Sequence, residues 1–134
     1  MKEIETYFGK LIFNGKILYV NFHPSFEITP DVIEFIHLKG KEHFADVKYA
    51  VIVDFRNNVS STHEARSYGA NNKYMHQHIA YGLVAKSLAE KLLVNFFIRF
   101  NKPKVPSKLF ISMNSCENWV KIKIKQTLTN QSPT

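Results

Sequence analysis

Two short apolar-rich runs, Thr6 to Phe13 and Lys16 to Phe22, flank an Asn14-Gly15 pair. Both turn residues tolerate the positive φ of a type I′ turn, so the chain is expected to open with an antiparallel hairpin. His23-Pro24-Ser25 breaks the second run. Thr29-Pro30-Asp31 then announces a helix: Thr29 can cap it, and Pro30 at the first helical position lacks an N–H that would go unpaired anyway. Val32, Ile33, Phe35, Ile36 and Leu38 give that helix an apolar stripe. Tyr49 to Val53 is continuously apolar and rich in β-branched residues, the signature of a central strand covered on both faces, and Asp54 ends it.

Phe55 to Ser60 reads as a loop, with Ser60, Ser61 or Thr62 capping a short helix to about Asn71. Met75 to Val84 reads as a buried strand. Ser87 with Glu90 three residues on forms a capping box. The helix that follows carries Leu88, Leu92, Leu93, Phe96, Phe97 and Phe100, an unusually broad apolar face. Pro103 and Pro106 close it, Leu109 to Met113 is a last strand, and Asn114 or Ser115 caps a final helix with Trp119, Val120, Ile122 and Ile124. Lys121 to Lys125 also alternates as a strand would. The expected order is ββαβαβαβα: an α/β domain with a mostly parallel five-stranded sheet, an antiparallel N-terminal hairpin strand, and helices packed on it.

A chain of 134 residues fits one domain, here residues 1–128, followed by a polar tail, 129–134. A 45% hydrophobic share with 11 Phe and 6 Tyr excludes disorder as the main state. The one Cys excludes an internal disulfide. No apolar run approaches a membrane span, and the polar N-terminus is unlike a signal peptide, so membrane insertion is not expected and a cytoplasmic location is. Net charge is +7 and unevenly placed. Residues 1–67 carry 8 basic and 9 acidic side chains; residues 68–134 carry 10 and 2. A basic half raises nucleic acid as a partner, but helix-turn-helix, Cys/His finger and RNP-type patterns are missing, so a solvated face is the simpler reading.

Several residues carry a resemblance. Ile28-Thr29, Val53-Asp54, Glu64-Ala65-Arg66-Ser67-Tyr68, Asn95-Phe96-Phe97, Lys102 to Phe110 and Trp119, taken with the element order, resemble a STAS or SpoIIAA-like domain. More closely, the chain resembles a STAS-like family of Bacteroidetes-type bacteria with no established activity. The resemblance implies that fold over nearly the whole chain. It also implies a phosphorylatable Ser at the helix start after the central strand. Here that neighbourhood is Asp54 to Thr62, without the Asp-Ser-Ser-Gly run of such antagonists, and Asn118 replaces the usual Ala before the late Trp.

Beside the resemblance stand readings from the residues. Asp54, Arg56, Ser60, Ser61, Glu64 and Arg66 cluster in sequence beyond the carboxyl end of a central parallel strand, where open α/β sheets bind ligands and partners. A phosphate at Ser60 to Thr62 would meet a helix start, with Arg56 and Arg66 adding charge. Ordinary capping and an Asp54–Arg pair that fixes the loop are the structural alternatives. His76 and His78, two apart, could begin a metal site but have no third ligand at a recognisable spacing, so no metal and no cofactor are expected. His63-Glu64 lacks the second His of HExxH, Cys116 has no activating neighbour, and neither a GxSxG elbow nor a Gly-rich phosphate loop occurs. The expectation is therefore a non-enzymatic regulatory or adaptor module that binds an unknown protein partner and forms a homodimer through Phe96, Phe97 and Phe100. The alternative is a domain that binds a small apolar or anionic ligand near the strand ends or beneath the aromatic helix. Weak nucleic-acid binding through the basic half ranks third.

Overall fold

The structure, a computed structural model, describes residues 1–130. Strands β1 (Lys2–Glu5), β2 (Gly9–Asn14) and β3 (Ile17–Phe22) form an antiparallel meander. A two-residue strand β4 (Glu27–Ile28) leads into α1 (Pro30–Phe44), then β5 (Tyr49–Asp54), the short β6 (Ser60–Ser61) and α2 (His63–Ala70). A 3₁₀ turn at Met75–Gln77 precedes β7 (His78–Val84). Helix α3 (Leu88–Phe96) continues into a π-helical turn at Phe97–Asn101, and β8 (Ser107–Phe110) and α4 (Met113–Asn130) complete the chain. The main sheet runs β1-β2-β3-β5-β7-β8, parallel from β3 onward, while β4 and β6 pair separately in parallel.

The α/β class, the hairpin and the parallel run agree with the sequence reading; the strand count does not. The main sheet has six strands, not five. The extra one, β1, has Ile4 as its only apolar residue, and it sits at the sheet edge where Lys10 of β2 meets Glu3 and Glu5. Such a strand has no continuous apolar face to read. The hairpin loop is Gly15-Lys16 rather than Asn14-Gly15, since Asn14 pairs with Ile17. Gly15 alone has positive φ (60°), which a type II′ turn places at its first loop position.

Other boundaries move for local reasons. Thr29 precedes α1, but its hydroxyl donates to the Asp31 carboxylate instead of capping a backbone N–H. Met75 to Gln77 is helical, so β7 begins at His78. The last strand is Ser107–Phe110, and Ser112, not Asn114 or Ser115, caps α4 by accepting from the Ser115 N–H at 3.2 Å. Lys121 to Lys125 is helical because Cys116 and Val120, four apart and fully buried, lay α4 on the sheet. Helix α4 continues through Thr129 and Asn130, the first residues of the expected tail; residues 131–134 lie outside the described part.

The two faces of the sheet are covered differently. Helix α4 packs on β5, β7 and β8, with Ile52, Ala80 and Val84 beneath it. A larger core, including Leu11, Val20, Val51 and Leu83, lies under α1, α2 and α3 on the other face. The β5–β7 register contains a bulge: Tyr49 pairs with His78 and Val51 with Tyr81, so Ile79 and Ala80 of β7 stand against Ala50 alone. Ile79 and Ala80 both fall in the α4-side core. His78 and Tyr81 thereby share the opposite face although they are three residues apart.

Candidate functional site

Between the larger core face and the three helices lies a cavity of about 100 Å³. Val20, Val51 and Leu83 form its floor, with Ile33 and Ile36 of α1, Leu93 of α3 and Phe97 of the π turn above them. This is the scale of engineered apolar cavities, about 150 Å³, that take up benzene. Apart from Tyr81, the polar side chains on its lining are His37, Ser61 and Arg66.

His37 is the most unusual of them. It sits on the inner face of α1, 6% exposed, and neither ring nitrogen has a hydrogen-bond partner. Burial lowers its pKa from 6.5 to about 4, against a small opposing effect of Glu34, so the ring is neutral at pH 7. A neutral imidazole carries one donor and one acceptor, and a buried group left unpaired costs about 1–3 kcal/mol. Its neighbour His78, with ring centroids 4.7 Å away, is by contrast fully paired. His78 Nε2 lies 3.1 Å from the Tyr49 hydroxyl and Nδ1 lies 2.6 Å from the Tyr81 hydroxyl. Burial, then the neighbouring His37 and His76, lower the His78 pKa to about 3. Gly40 of α1 makes room for the Tyr49 ring, whose hydroxyl group occupies the space of the missing Cβ.

At the carboxyl ends of the strands the cavity is bounded by Ser61 and Arg66. Arg66 Nη1 donates to the Ser61 carbonyl (2.9 Å) and hydroxyl (3.1 Å). The Phe96 ring covers the guanidinium, centroid 5.3 Å from Cζ. Arg66 Nε is buried and unpaired. Thr62 caps α2 through the Ala65 N–H at 3.0 Å, so of the three candidate capping residues only Thr62 does that work. Ser60 and Ser61 instead pair with Glu27 and Ile28 in the small sheet.

The remaining residues expected at this end do not join the cavity. Asp54 accepts from Arg56 three times: backbone N at 3.0 Å, Nε at 2.9 Å and Nη2 at 2.8 Å. That pairing raises the Arg56 pKa and closes the loop after β5 on itself. Glu64 is exposed in the first turn of α2. His76 is exposed, with Nδ1 3.0 Å from the Lys73 carbonyl, and no group of metal-ligating side chains forms among the described residues. Cys116 is buried against Gly82, and burial pushes its thiol up to about 12. Phe97 turns inward to the cavity, while Phe96 (41% exposed) and Phe100 (65%) face outward with Leu88 and Leu92.

One group escaped the sequence reading in part. The expected capping box is present, but the Glu90 carboxylate does more than close it. Its Oε1 accepts from Lys86 N (2.9 Å) and Ser87 N (3.0 Å), and Oε2 accepts from Asn58 N at 2.9 Å. Burial pushes this carboxyl up, but the three backbone donors outweigh it and hold the pKa below the ordinary value. Glu90 thus ties the β5–β6 loop to the start of α3. Asn58 has φ 63°, and no local sequence signal announces a backbone N–H turned toward a residue 32 positions away.

An apolar cavity in an α/β sheet, with two under-paired polar side chains on its wall, defines the class of fold and site. The chain belongs to the family described as a domain of unknown function (DUF7793), whose family model matches residues 11–123. No curated protein matches it. A solved structure of a protein with unknown function from Arthrobacter sp. FB24 is similar at 21% identity and a TM-score of 0.31, over 84% of this chain and 98% of that one. No helix among the described residues is long and apolar enough to cross a membrane.

Proposed function

We propose that this chain is a non-catalytic binding module whose cavity, beneath α1, α2 and the α3–π segment, holds a small and mainly apolar molecule. The observation that carries this reading is His37: a buried imidazole with both nitrogens unpaired, on the wall of an otherwise apolar space. Binding pockets combine such an apolar lining with a few placed polar groups. The π-helical turn that brings Phe97 over the cavity adds support, because such turns occur often at functional sites. The fold reading that accompanies it is STAS-like, supported by the hairpin entry, the parallel run and the helices on both faces.

The test is native mass spectrometry of the full chain purified from its own host. A non-covalent adduct is expected, and it should be lost in Gly69→Leu. A Cβ on Gly69 meets Phe97 and Ile33 at 3.5 and 3.7 Å, so a longer side chain there enters the cavity. A bare chain that also fails to bind hexan-1-ol would sink the proposal.

A second reading, an adaptor that binds a protein partner and self-associates, is favoured by the outward stripe of Leu88, Leu92, Phe96 and Phe100. Sedimentation equilibrium of the wild type and of Leu92→Glu tests it. A dimer that dissociates in the variant supports self-association; a monomer in both removes that part of the reading.

A further inference from the structure

We propose that the outward face of α3 and its π-helical turn docks this chain on the surface of an anionic phospholipid bilayer, with apolar side chains inserted and no segment crossing it. Leu88, Leu92, Phe96 and Phe100 stand four apart along this segment, so they form one stripe about 18 Å long. Leu88 is 73% exposed and Leu92 61%. The Phe96 and Phe100 rings lie 4.7 Å apart between centroids, so the stripe stays continuous into the π turn. The core does not use these four side chains. Val94, fully buried, and Phe97, on the cavity lining, hold the inner face of the same segment. The stripe lies outside the cavity, so its test is independent of the binding reading above.

The charge around the stripe selects what covers it. Residues 86–108 carry six basic side chains and one acidic one, Glu90. The Glu90 carboxylate is buried and engaged by three backbone N–H groups, so the charge this segment shows to solvent is basic alone. Lys91 and Arg99 come three residues after Leu88 and Phe96, which sets them beside the stripe. Arg66 of α2 packs on the Phe96 ring, Lys86 precedes the stripe, and Lys102 and Lys104 follow it. None of Lys86, Lys91, Arg99, Lys102 and Lys104 forms an ion pair among the described residues. A second copy laid on the stripe about a two-fold axis would set these cations against their own kind, whereas anionic headgroups attract them. A nucleic acid would satisfy the cations but offers its phosphates and sugars, not an apolar seat for Leu88 and Leu92. A bilayer takes both kinds of side chain: Leu and Phe enter the headgroup–acyl boundary while Lys and Arg stay among the headgroups.

The experiment is flotation of the full chain with two kinds of vesicle: phosphatidylcholine alone, and an equal mixture of phosphatidylcholine and phosphatidylglycerol. The mixed vesicles are expected to bind at least about tenfold more tightly, the effect of two or more basic side chains at an anionic surface. High sodium chloride should remove most of that preference. Leu92→Ser together with Phe100→Ser should weaken binding to the mixed vesicles at least about tenfold, by removing inserted apolar area. Lys91→Gln together with Arg99→Gln should weaken it by a similar factor, about tenfold, and leave binding to the neutral vesicles unchanged. All four side chains lie outside the core, and the melting temperature of each variant checks that it folds. Equal binding to the two kinds of vesicle, or binding to neither, overturns the proposal. Binding that survives the two serines shows adsorption by charge alone and overturns the stripe as the docking surface. A wild-type dimer that the two serines dissociate, with no flotation, assigns the stripe to a second copy and overturns it as well. Salt-sensitive binding of a DNA duplex with no flotation does the same and assigns the basic surface to nucleic acid.

Discussion

The Tyr49 hydroxyl and His78 Nε2 lie 3.1 Å apart, side by side on two neighbouring parallel strands. With Tyr81 on the other ring nitrogen, His78 is a buried neutral link between two phenols. Burial keeps the ring neutral, and in that state both of its nitrogens are used. His37, packed against it, is neutral with neither used.

Stability should therefore fall as the solution is acidified. Both histidines have folded pKa values below the ordinary 6.5, near 4 for His37 and near 3 for His78. Below pH 6.5 the unfolded chain binds protons that the folded chain refuses, so protonation favours unfolding. The loss begins near pH 6.5 and continues to about pH 4 for His37 and pH 3 for His78. Each group contributes about 1.4 kcal/mol per pH unit inside its window. Urea unfolding at pH 7, 6 and 5 reads the slope, and His37→Leu should roughly halve it while costing nothing at pH 7, since it removes two unpaired polar atoms. Glu34, held low by hydrogen bonds from Tyr68 and Tyr74, loses its contribution only below its ordinary value of 4.5.

A methyl group on Gly82 would collide with Cys116 Sγ and sit 3.0 Å from Val120 Cγ2. Gly82→Ala should cost about 3 kcal/mol, as overpacking of a tight core does. Adding Cys116→Ala should recover a large part of that loss. A double-mutant cycle measured by chemical denaturation gives the coupling; additive single effects would show that α4 does not seat there.

Glu90→Ala should destabilise by about 2–4 kcal/mol, because three backbone N–H groups lose their acceptor together. Hydrogen exchange should accelerate at Asn58, Lys86 and Ser87 before it does in the strands. Glu90→Gln keeps an acceptor and should cost less.

Gly69→Ala should stabilise by about 0.5–1 kcal/mol, the usual gain of Ala over Gly inside a helix. The new Cβ meets its nearest neighbours at ordinary contact distance. A melting temperature below that of the wild type would show that the space over Gly69 is already filled.

Where an element makes a statement to its own neighbours, the sequence was readable. Pro30 at the helix start, the Ser87–Glu90 box and the apolar Tyr49 to Val53 run each lie where expected. What depended on distant chain was not. β1 is a strand because β2 lies beside it, and Ser60-Ser61 pairs because Glu27-Ile28 passes nearby. The site divides in the same way. Ser61 and Arg66, five apart in sequence, meet, and Asp54 takes Arg56 as a local partner. His37 drew no attention, because a lone His on an apolar helix face looks ordinary until both of its nitrogens are found empty.

The bulge in β7 gives that strand a parity that the chain must preserve beyond it. With Ile79 and Ala80 both set against Ala50 of β5, His78 and Tyr81 lie on one face of the sheet and Ile79 and Ala80 face α4. What the removal of one residue does therefore depends on its place. Losing Ile79 or Ala80 would remove the bulge and restore ordinary alternation, with His78, Tyr81 and Leu83 still in their layers, whereas losing Gly82, beyond the bulge, would bring Leu83 under α4 and send Val84 to the opposite face. Substitutions in β7 are graded in their damage; a change of length by one spares the layers at the bulge and inverts them beyond it.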